Sequence, residues 1–167
     1  MITGKVWKYG DDVNTDRIFP GRYTYILLSE AQMGEHALED LDEEFTKSAK
    51  PGDIIVAGRN WGGGSAREQA VKALTARGIA AIIAKGFSRI YFRNGLNEGL
   101  PVIVCPEAVD AVEHGETVSI DLDAHCVTTP RGTFSFAPYD PFIQDMIACG
   151  GLLPKVRQEL REAGRIP

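Results

Sequence analysis

The stretch of the chain best suited to chemistry is GRNWGGGSAREQA, residues 58–70. Three glycines, Gly62–Gly64, precede Ser65, and Arg67 and Glu68 follow it. Ser65 and Glu68 have the spacing of a helix capping box, in which the serine hydroxyl accepts a hydrogen bond from the backbone three residues on. A cap does not require three glycines, whereas close approach of another group to the backbone does. The pattern therefore predicts a helix cap that is also a site where another group binds close to the backbone.

The same segment has the features of an anion site. Free N–H groups at the start of a helix attract negative charge, and Arg67 adds a positive one. The Walker pattern is absent, and the dinucleotide-binding spacing fails after Gly64, so a carboxylate fits at least as well as a phosphate. Ser65 is a candidate base there, because the helix dipole and Arg67 stabilise its alkoxide. No His–Asp pair lies nearby in sequence to indicate a hydrolase triad.

Metal-ligating residues are sparse, and we predict no metal site in this chain. No C-x-x-C pair occurs, and the adjacent His125 and Cys126 fall in a predicted hairpin. A low, odd cysteine count suits a reducing compartment, and the start MITGKVWKYGDD lacks the apolar core of a signal peptide, so the expected location is the cytoplasm. The residues concerned are Cys105, Cys126, Cys149, His36, His114 and His125.

Composition and charge argue against several classes of partner. The chain has 167 residues, with 18 basic and 23 acidic side chains and a formal charge of −5. This balance argues against non-specific binding to nucleic acid or to an anionic membrane surface. No apolar run approaches the roughly 20 residues of a membrane-spanning helix. The length, without a convincing linker, predicts one domain, residues 1–167.

The elements that must position Ser65 follow from hydrophobic patterns. Helices are predicted at 66–77 and 88–98, between β-branched runs bounded by glycine or proline. Because strands alternate with helices here, the strands are predicted to pair in parallel through crossovers. The predicted strands of this half are GKVWKYG (4–10), GDIIVAG (52–58), IAAIIAKG (79–86) and LPVIVC (100–105).

The other segments complete an α/β fold with a mixed, partly parallel sheet. Residues 11–23 are predicted as an irregular loop, residues 29–40 as weakly helical, and the acidic run LEDLDEEF (38–45) as a solvated face. A tail of two helices, 141–164, is interrupted by two glycines. An antiparallel meander is predicted from TVSIDLD (117–123), CVTT (126–129) and TFSFA (133–137).

Several segments together resemble the aconitase superfamily. GGGSAREQA is similar to its G-x-G-S-S-R-E-H-A segment, and GDDVNTDRIFPGRY to its D-x-x-x-T-D-x-I-x-P segment. GIAAIIAKGFSRIYFRNGLNEGLPVIV and CGGLLPKVR match further stretches in the same order and spacing. The length of the chain and its N-terminal segment resemble those of the separate small subunit of the isopropylmalate dehydratase type. In this family that subunit is a single swivelling β/β/α domain.

The resemblance implies one half of a two-subunit hydro-lyase, in a heterodimer or heterotetramer with a large subunit that carries a [4Fe–4S] cluster. In such enzymes a hydroxy-dicarboxylic acid loses water and regains it with the hydroxyl on the neighbouring carbon, and the cluster takes the hydroxyl. Ser65 matches the family's base and Arg67 its carboxylate clamp. Thr15 and Asp16 match site residues of its T-D element, and Gly64 lies beside the base. A non-catalytic anion-binding module is the alternative.

The resemblance also implies a loop that touches the variable group of the substrate. Its residues Tyr23, Thr24, Tyr25 and Ile26 are neutral and largely apolar, and Arg22 stands at its entrance. A third carboxylate would be left unpaired there at a cost of several kcal/mol, unless Arg22 meets it. The expected order of substrate preference is therefore isopropylmalate first, a smaller alkyl-malate such as dimethylmalate second, and homoaconitate third.

Two residues depart from the family segment, and two further arginines are candidate site residues of lower rank. Ala66 and Gln69 replace a serine and a histidine of the family segment, which leaves the identity of the substrate open. Arg89 and Arg93 lie four residues apart on one predicted helix, so they share a face. That face is expected to be solvated or turned to a partner.

Overall fold

All seven strands form one mixed sheet. The structure, a computed structural model, describes residues 1–167. The strand order is β4–β3–β2–β1–β5–β6–β7; β1 to β4 pair in parallel and β5 to β7 antiparallel, with β5 joined to β1. The predicted α/β class and partly parallel sheet are confirmed. The strands are β1 Ile2–Lys8, β2 Ile54–Ala57, β3 Ala81–Ala84, β4 Val102–Val104, β5 Thr117–Asp121, β6 Cys126–Thr129 and β7 Gly132–Ser135.

Eight short helices accompany the sheet, and none has the length and apolar character needed to span a membrane. A 3₁₀ turn at Gly21–Tyr23 follows the first of them. The helices are α1 Thr15–Ile18, α2 Glu30–Glu35, α3 Glu43–Ser48, α4 Gln69–Ala76, α5 Arg89–Asn97, α6 Pro106–Asp110, α7 Pro141–Ala148 and α8 Leu152–Glu162.

The central parallel strands, β2 and β3, are buried on both faces. Along β2, Ile55 and Ala57 belong to a core with α4 and α5, whereas Ile54 and Val56 belong to a core with α6 and the meander. Parallel strands covered on both sides are apolar throughout rather than alternating, which is the pattern seen in β2 and β3.

The start of α4 differs from the prediction. This helix begins at Gln69 rather than at residue 66, and its N-cap residue is Glu68, which makes no side-chain capping bond. The predicted capping box of Ser65 and Glu68 is therefore wrong. Residues 65–68 instead form an irregular connection, in which the Arg67 N–H donates to the Ser65 carbonyl and the Thr15 hydroxyl donates to the same carbonyl.

Two other segments are more ordered than predicted. Residues 11–23 contain α1, which Asn14 caps by accepting a bond from the Arg17 N–H. The acidic run 38–45 is not simply a solvated face, because Leu38 and Phe45 are fully buried. Asp42 of this run caps α3.

The connections that follow β1, β2 and β3 meet at one edge of the sheet. They pair through isolated bridges between Asn14 and Gly63 and between Trp61 and Phe87. Because these are the carboxyl ends of parallel strands, the fold creates a crevice of the kind in which open α/β sheets bind ligands.

Candidate functional site

The glycine segment is held from both sides. The Gly62 N–H donates to the Val13 carbonyl at 2.8 Å, and the Thr15 N–H donates to the Gly63 carbonyl at 2.9 Å. On the other side the Ser88 hydroxyl donates to the Gly62 carbonyl at 2.7 Å. The segment that carries Ser65 is thus fixed between the loop after β1 and the start of α5.

At two of the three positions, the structure shows why the residue has to be glycine. Gly62 has a φ of +75°, and a Cβ on it would lie 2.1 Å from Cγ of Tyr91. Gly64 has a φ of +88°, but a Cβ there would be no closer than 3.7 Å to its neighbours. The close approach predicted from the glycine run is made at Gly62 by the ring of Tyr91. At Gly64 the requirement is the backbone conformation, which favours glycine.

Ser65 combines a fixed backbone with an unengaged hydroxyl. Its carbonyl accepts bonds from the Thr15 hydroxyl at 2.9 Å and the Arg67 N–H at 2.8 Å. Thr15 is buried, whereas Ser65 is exposed, and no side chain bonds to the Ser65 hydroxyl. No histidine lines the cavity around it, so the site contains no hydrolase triad.

Arg67 is the most heavily bonded side chain of the site. It donates to the Asp16 carboxylate at 2.8 Å and to the Thr24 hydroxyl at 2.6 Å. It also donates to the carbonyls of Thr15 and Phe19. The side chain is 11% exposed, and its buried Nε has no partner. Arg67 therefore holds α1 and the following loop together, and its role as a carboxylate clamp stays a prediction.

Ser65 lies in a cavity of ≈ 550 Å³ at the carboxyl edge of the sheet. The predicted residues Thr15, Gly64 and Arg67 line it as well, and so does Ala66, one of the two departures from the family segment. The lining contains three arginines and no acidic side chain; the two from α5 are Arg89 and Arg93. The sequence placed these two on one helix face but gave no signal that this face borders Ser65.

The predicted substrate loop lines a neighbouring cavity of ≈ 440 Å³. Its residues Tyr23, Thr24, Tyr25 and Ile26 lie together there, facing Glu68, Gln69 and Lys72 at the start of α4. Tyr25 is 98% exposed. The loop and Ser65 are thus on either side of Arg67, and the bond from Arg67 to Thr24 connects the two cavities.

Arg22 is turned away from both cavities. Its guanidinium pairs with Asp40 at 2.6 Å and with Glu39, and it lies over the ring of Tyr23. The hydrogen bond with Asp40 raises the pKa of Arg22 and lowers the pKa of Asp40. Its charge is already paired within the chain, so the predicted contact with a third substrate carboxylate stays a prediction.

The cysteines do not form a ligand set. Cys105, Cys126 and Cys149 are all free, and Cys105 is buried. No group of three or more His, Cys, Asp or Glu side chains is arranged so that it could hold a metal ion. Because an iron–sulfur cluster is held mainly by several converging thiolates, the residues of this chain do not fit one.

Comparisons with known proteins agree with one another. The aconitase C-terminal domain family matches residues 23–108. The 3-isopropylmalate dehydratase small subunit of Nautilia profundicola is 45% identical over 97% of this chain and 98% of its own length. That of Aquifex aeolicus is 41% identical over 94% and 95%. A crystal structure of 3-isopropylmalate dehydratase from Methanocaldococcus jannaschii has a TM-score of 0.90, with 38% identity and 99% of each chain covered.

Proposed function

Because this chain belongs to the family of 3-isopropylmalate dehydratase small subunits, we propose that it supplies the base and the substrate-orienting groups of a two-subunit hydro-lyase. The enzyme interconverts 2-isopropylmalate and 3-isopropylmalate by dehydration and rehydration, a step of leucine biosynthesis. It works with a large subunit, and membership of the aconitase family implies that the iron–sulfur cluster belongs to that subunit.

The observation that carries the proposal is the environment of Ser65. Its hydroxyl is unengaged, its backbone is pinned by Thr15, and the cavity around it holds three guanidinium groups without a carboxylate. The reaction removes a proton from a carbon beside a carboxylate. That proton is weakly acidic, so fixed positive charge must offset the charge that develops. The same charge stabilises a serine alkoxide, which allows Ser65 to act as the base without a histidine.

Arg67 is assigned to one substrate carboxylate. Its planar fork suits a bidentate contact with a carboxylate. In the structure it already binds Asp16, whose side chain is 64% exposed. Because Arg67 itself is largely buried, its charge needs a partner, and a substrate carboxylate that replaces Asp16 provides an equivalent one. The bond from Nη1 to Thr24 and one of the two bonds from Nη2 to backbone carbonyls keep Arg67 in place during the exchange, while the second Nη2 hydrogen turns to the substrate.

The variable group of the substrate is assigned to the loop Tyr23, Thr24, Tyr25 and Ile26. Thr24 ties this loop to Arg67, and the loop itself has no charge. Arg22, the nearest arginine in sequence, is occupied by Asp40 and Glu39. Isopropylmalate is thus favoured over a smaller alkyl-malate, and both over homoaconitate, whose third carboxylate would lack a partner.

Three finer points remain predictions. They are the assignment of residues 1–167 to one swivelling domain, the cytoplasmic location, and a heterodimer or heterotetramer as the assembled form.

Reconstitution with the large subunit tests the proposal. The isolated chain should be inactive, and the complex should turn over isopropylmalate faster than dimethylmalate or homoaconitate at equal concentration. Tyr25→Arg should shift kcat/KM toward homoaconitate, by roughly tenfold if the new charge meets the third carboxylate. Leu153→Arg, the same kind of change at an exposed position of α8, is the control. A complex that is inactive with all three acids, or that prefers homoaconitate, would contradict the proposal.

A further inference from the structure

Arg89 and Arg93 are the unpaired cations of the Ser65 cavity. Both side chains are exposed, and neither makes a hydrogen bond or an ion pair within the chain. Exposed arginines elsewhere are paired, as Arg22 and Arg131 are, or unpaired, as Arg59 and Arg157 are, so what distinguishes Arg89 and Arg93 is that both line one cavity. In a chain with a formal charge of −5, two unpaired arginines in one cavity are a local excess of positive charge.

The position of Arg89 opposes the stability of its own helix. It is the first residue of α5, after the cap Ser88, and the first turn of α5 contains no acidic residue. A cation at a helix N-terminus is unfavourable because it faces the positive end of the helix dipole. By contrast, α2 and α3 carry Glu30 and Glu43 in their first turns. Local helix stability therefore does not explain an arginine at this position.

The surroundings of the two arginines suit a small anion. Asn94 lines the same cavity, and its side chain is also without a partner. Ser65 and Arg67 line the same cavity from a different segment, the connection between β2 and α4. Because Arg67 already makes four bonds within the chain, Arg89 and Arg93 carry the charge in this cavity that is not yet committed.

We propose that Arg89 and Arg93, on α5, bind the second carboxylate of the dicarboxylic substrate, while Arg67 binds the first. This assignment rests on the proposed function and adds α5 to the site. The substrate is a dianion, and guanidinium groups from two segments hold its carboxylates apart with the reacting carbons near Ser65. An acidic side chain of the large subunit is the alternative occupant, and the subunit-affinity measurement below separates the two.

The test uses the reconstituted two-subunit enzyme with Arg89→Gln and Arg93→Gln. Each change should raise KM for isopropylmalate by roughly tenfold to a hundredfold, as expected for a lost bond between charged groups. The affinity between the subunits should stay within about twofold of wild type. Arg157→Gln, the same change at an exposed, unpaired arginine of α8, should alter neither quantity. Inhibition by malonate and by acetate gives a second readout, in which each α5 variant should lose most of the preference for the dicarboxylate.

Each other outcome overturns the proposal. An unchanged KM and an unchanged malonate preference would show that the arginines do not touch the substrate. Weaker subunit association, with KM restored at high large-subunit concentration, would assign them to the interface instead. The proposed function fails separately, if the wild-type complex does not turn over isopropylmalate at all.

Discussion

At the scale of single residues, the site separates fixed groups from free ones. Arg67 reaches Thr24 through one nitrogen and Asp16 through another, which a single ammonium group cannot do. Thr15 fixes the Ser65 carbonyl and leaves the hydroxyl free. The residues that hold the site together are thus distinct in position from the hydroxyl that is proposed to react.

Glu98 is the titratable residue whose protonation bears most directly on stability near neutral pH. Burial and the neighbouring Glu68 raise its pKa from 4.5 to about 7, while the bond from Glu98 lowers the pKa of Glu68. Lys72 lies 3.3 Å from Glu68 and 3.9 Å from Glu98, and Glu30 also acts on Glu98. The pKa of Glu98 is therefore raised first by burial and then by a second carboxyl group, where α4 and α5 meet.

This raised pKa predicts that Glu98 lowers stability as pH rises. Between pH 4.5 and about 7 the folded chain retains a proton that the unfolded chain releases, so the free energy of unfolding falls across that interval. Glu98→Gln mimics the protonated form and should remove this loss. Between pH 5 and pH 8, the free energy of unfolding of the variant should rise relative to that of wild type by on the order of 1 kcal/mol, after allowance for solvent screening.

Urea unfolding at pH 5 and pH 8 measures this difference. Glu107→Gln, at an exposed residue of α6, is the matched control and should show the same pH dependence as wild type. A Glu98→Gln curve parallel to wild type at both pH values would show that Glu98 is ionised throughout.

At the scale of elements, the site depends on three connections that pack against one another. The glycine segment after β2 lies between the loop after β1 and the first turn of α5. Its path is set by Gly62, where the ring of Tyr91 occupies the space that a side chain would need.

Gly62→Ala should therefore be strongly destabilising. The new Cβ would meet the Tyr91 ring at 2.1 Å, and alanine is strained at a φ of +75°. We expect a loss of more than about 2 kcal/mol in the free energy of unfolding, measured by urea denaturation. Gly10→Ala is the control, because nothing lies within 4 Å of its added Cβ; it should change stability by less than about 0.5 kcal/mol. Equal losses in the two variants would refute the packing explanation.

Elements with a strong local pattern could be predicted from the sequence. The buried strands β2, β3 and β4 are continuous apolar runs between glycine or proline, and α5 begins directly after its serine cap. The Gly150–Gly151 break between α7 and α8 was predicted for the same reason, since glycine interrupts a helix locally.

Features that depend on contacts distant in sequence could not be predicted. Ser65 and Glu68 match a capping box, but the Ser65 carbonyl is held by Thr15, 50 residues away in sequence, and α4 starts later. Arg89 and Arg93 could be placed on one helix face, yet only the packing of α5 against the glycine segment brings them into the cavity of Ser65. The pairing of Arg22 with Asp40 likewise depends on a folded loop.

At the scale of the whole molecule, charge and topology bring the candidate site residues to one edge of the sheet. The antiparallel half, β5 to β7, covers the far side of the core and contributes no residue to either cavity described above. The chain is acidic overall, but the Ser65 cavity is lined by three arginines. A positive cleft in a low-dielectric wall attracts and orients a dianion, which suits half of an active site completed by a second subunit.

The most direct test of the central claim is the turnover of the reconstituted enzyme with Ser65→Ala. The hydroxyl makes no bond and caps no helix, so the unfolding free energy of the chain should change by less than about 0.5 kcal/mol. With the base removed, kcat should fall roughly 10²- to 10⁴-fold. Ser135→Ala, at an exposed serine of β7, should leave kcat unchanged. If the assembled Ser65→Ala enzyme keeps more than about a tenth of the wild-type kcat, Ser65 is not the base.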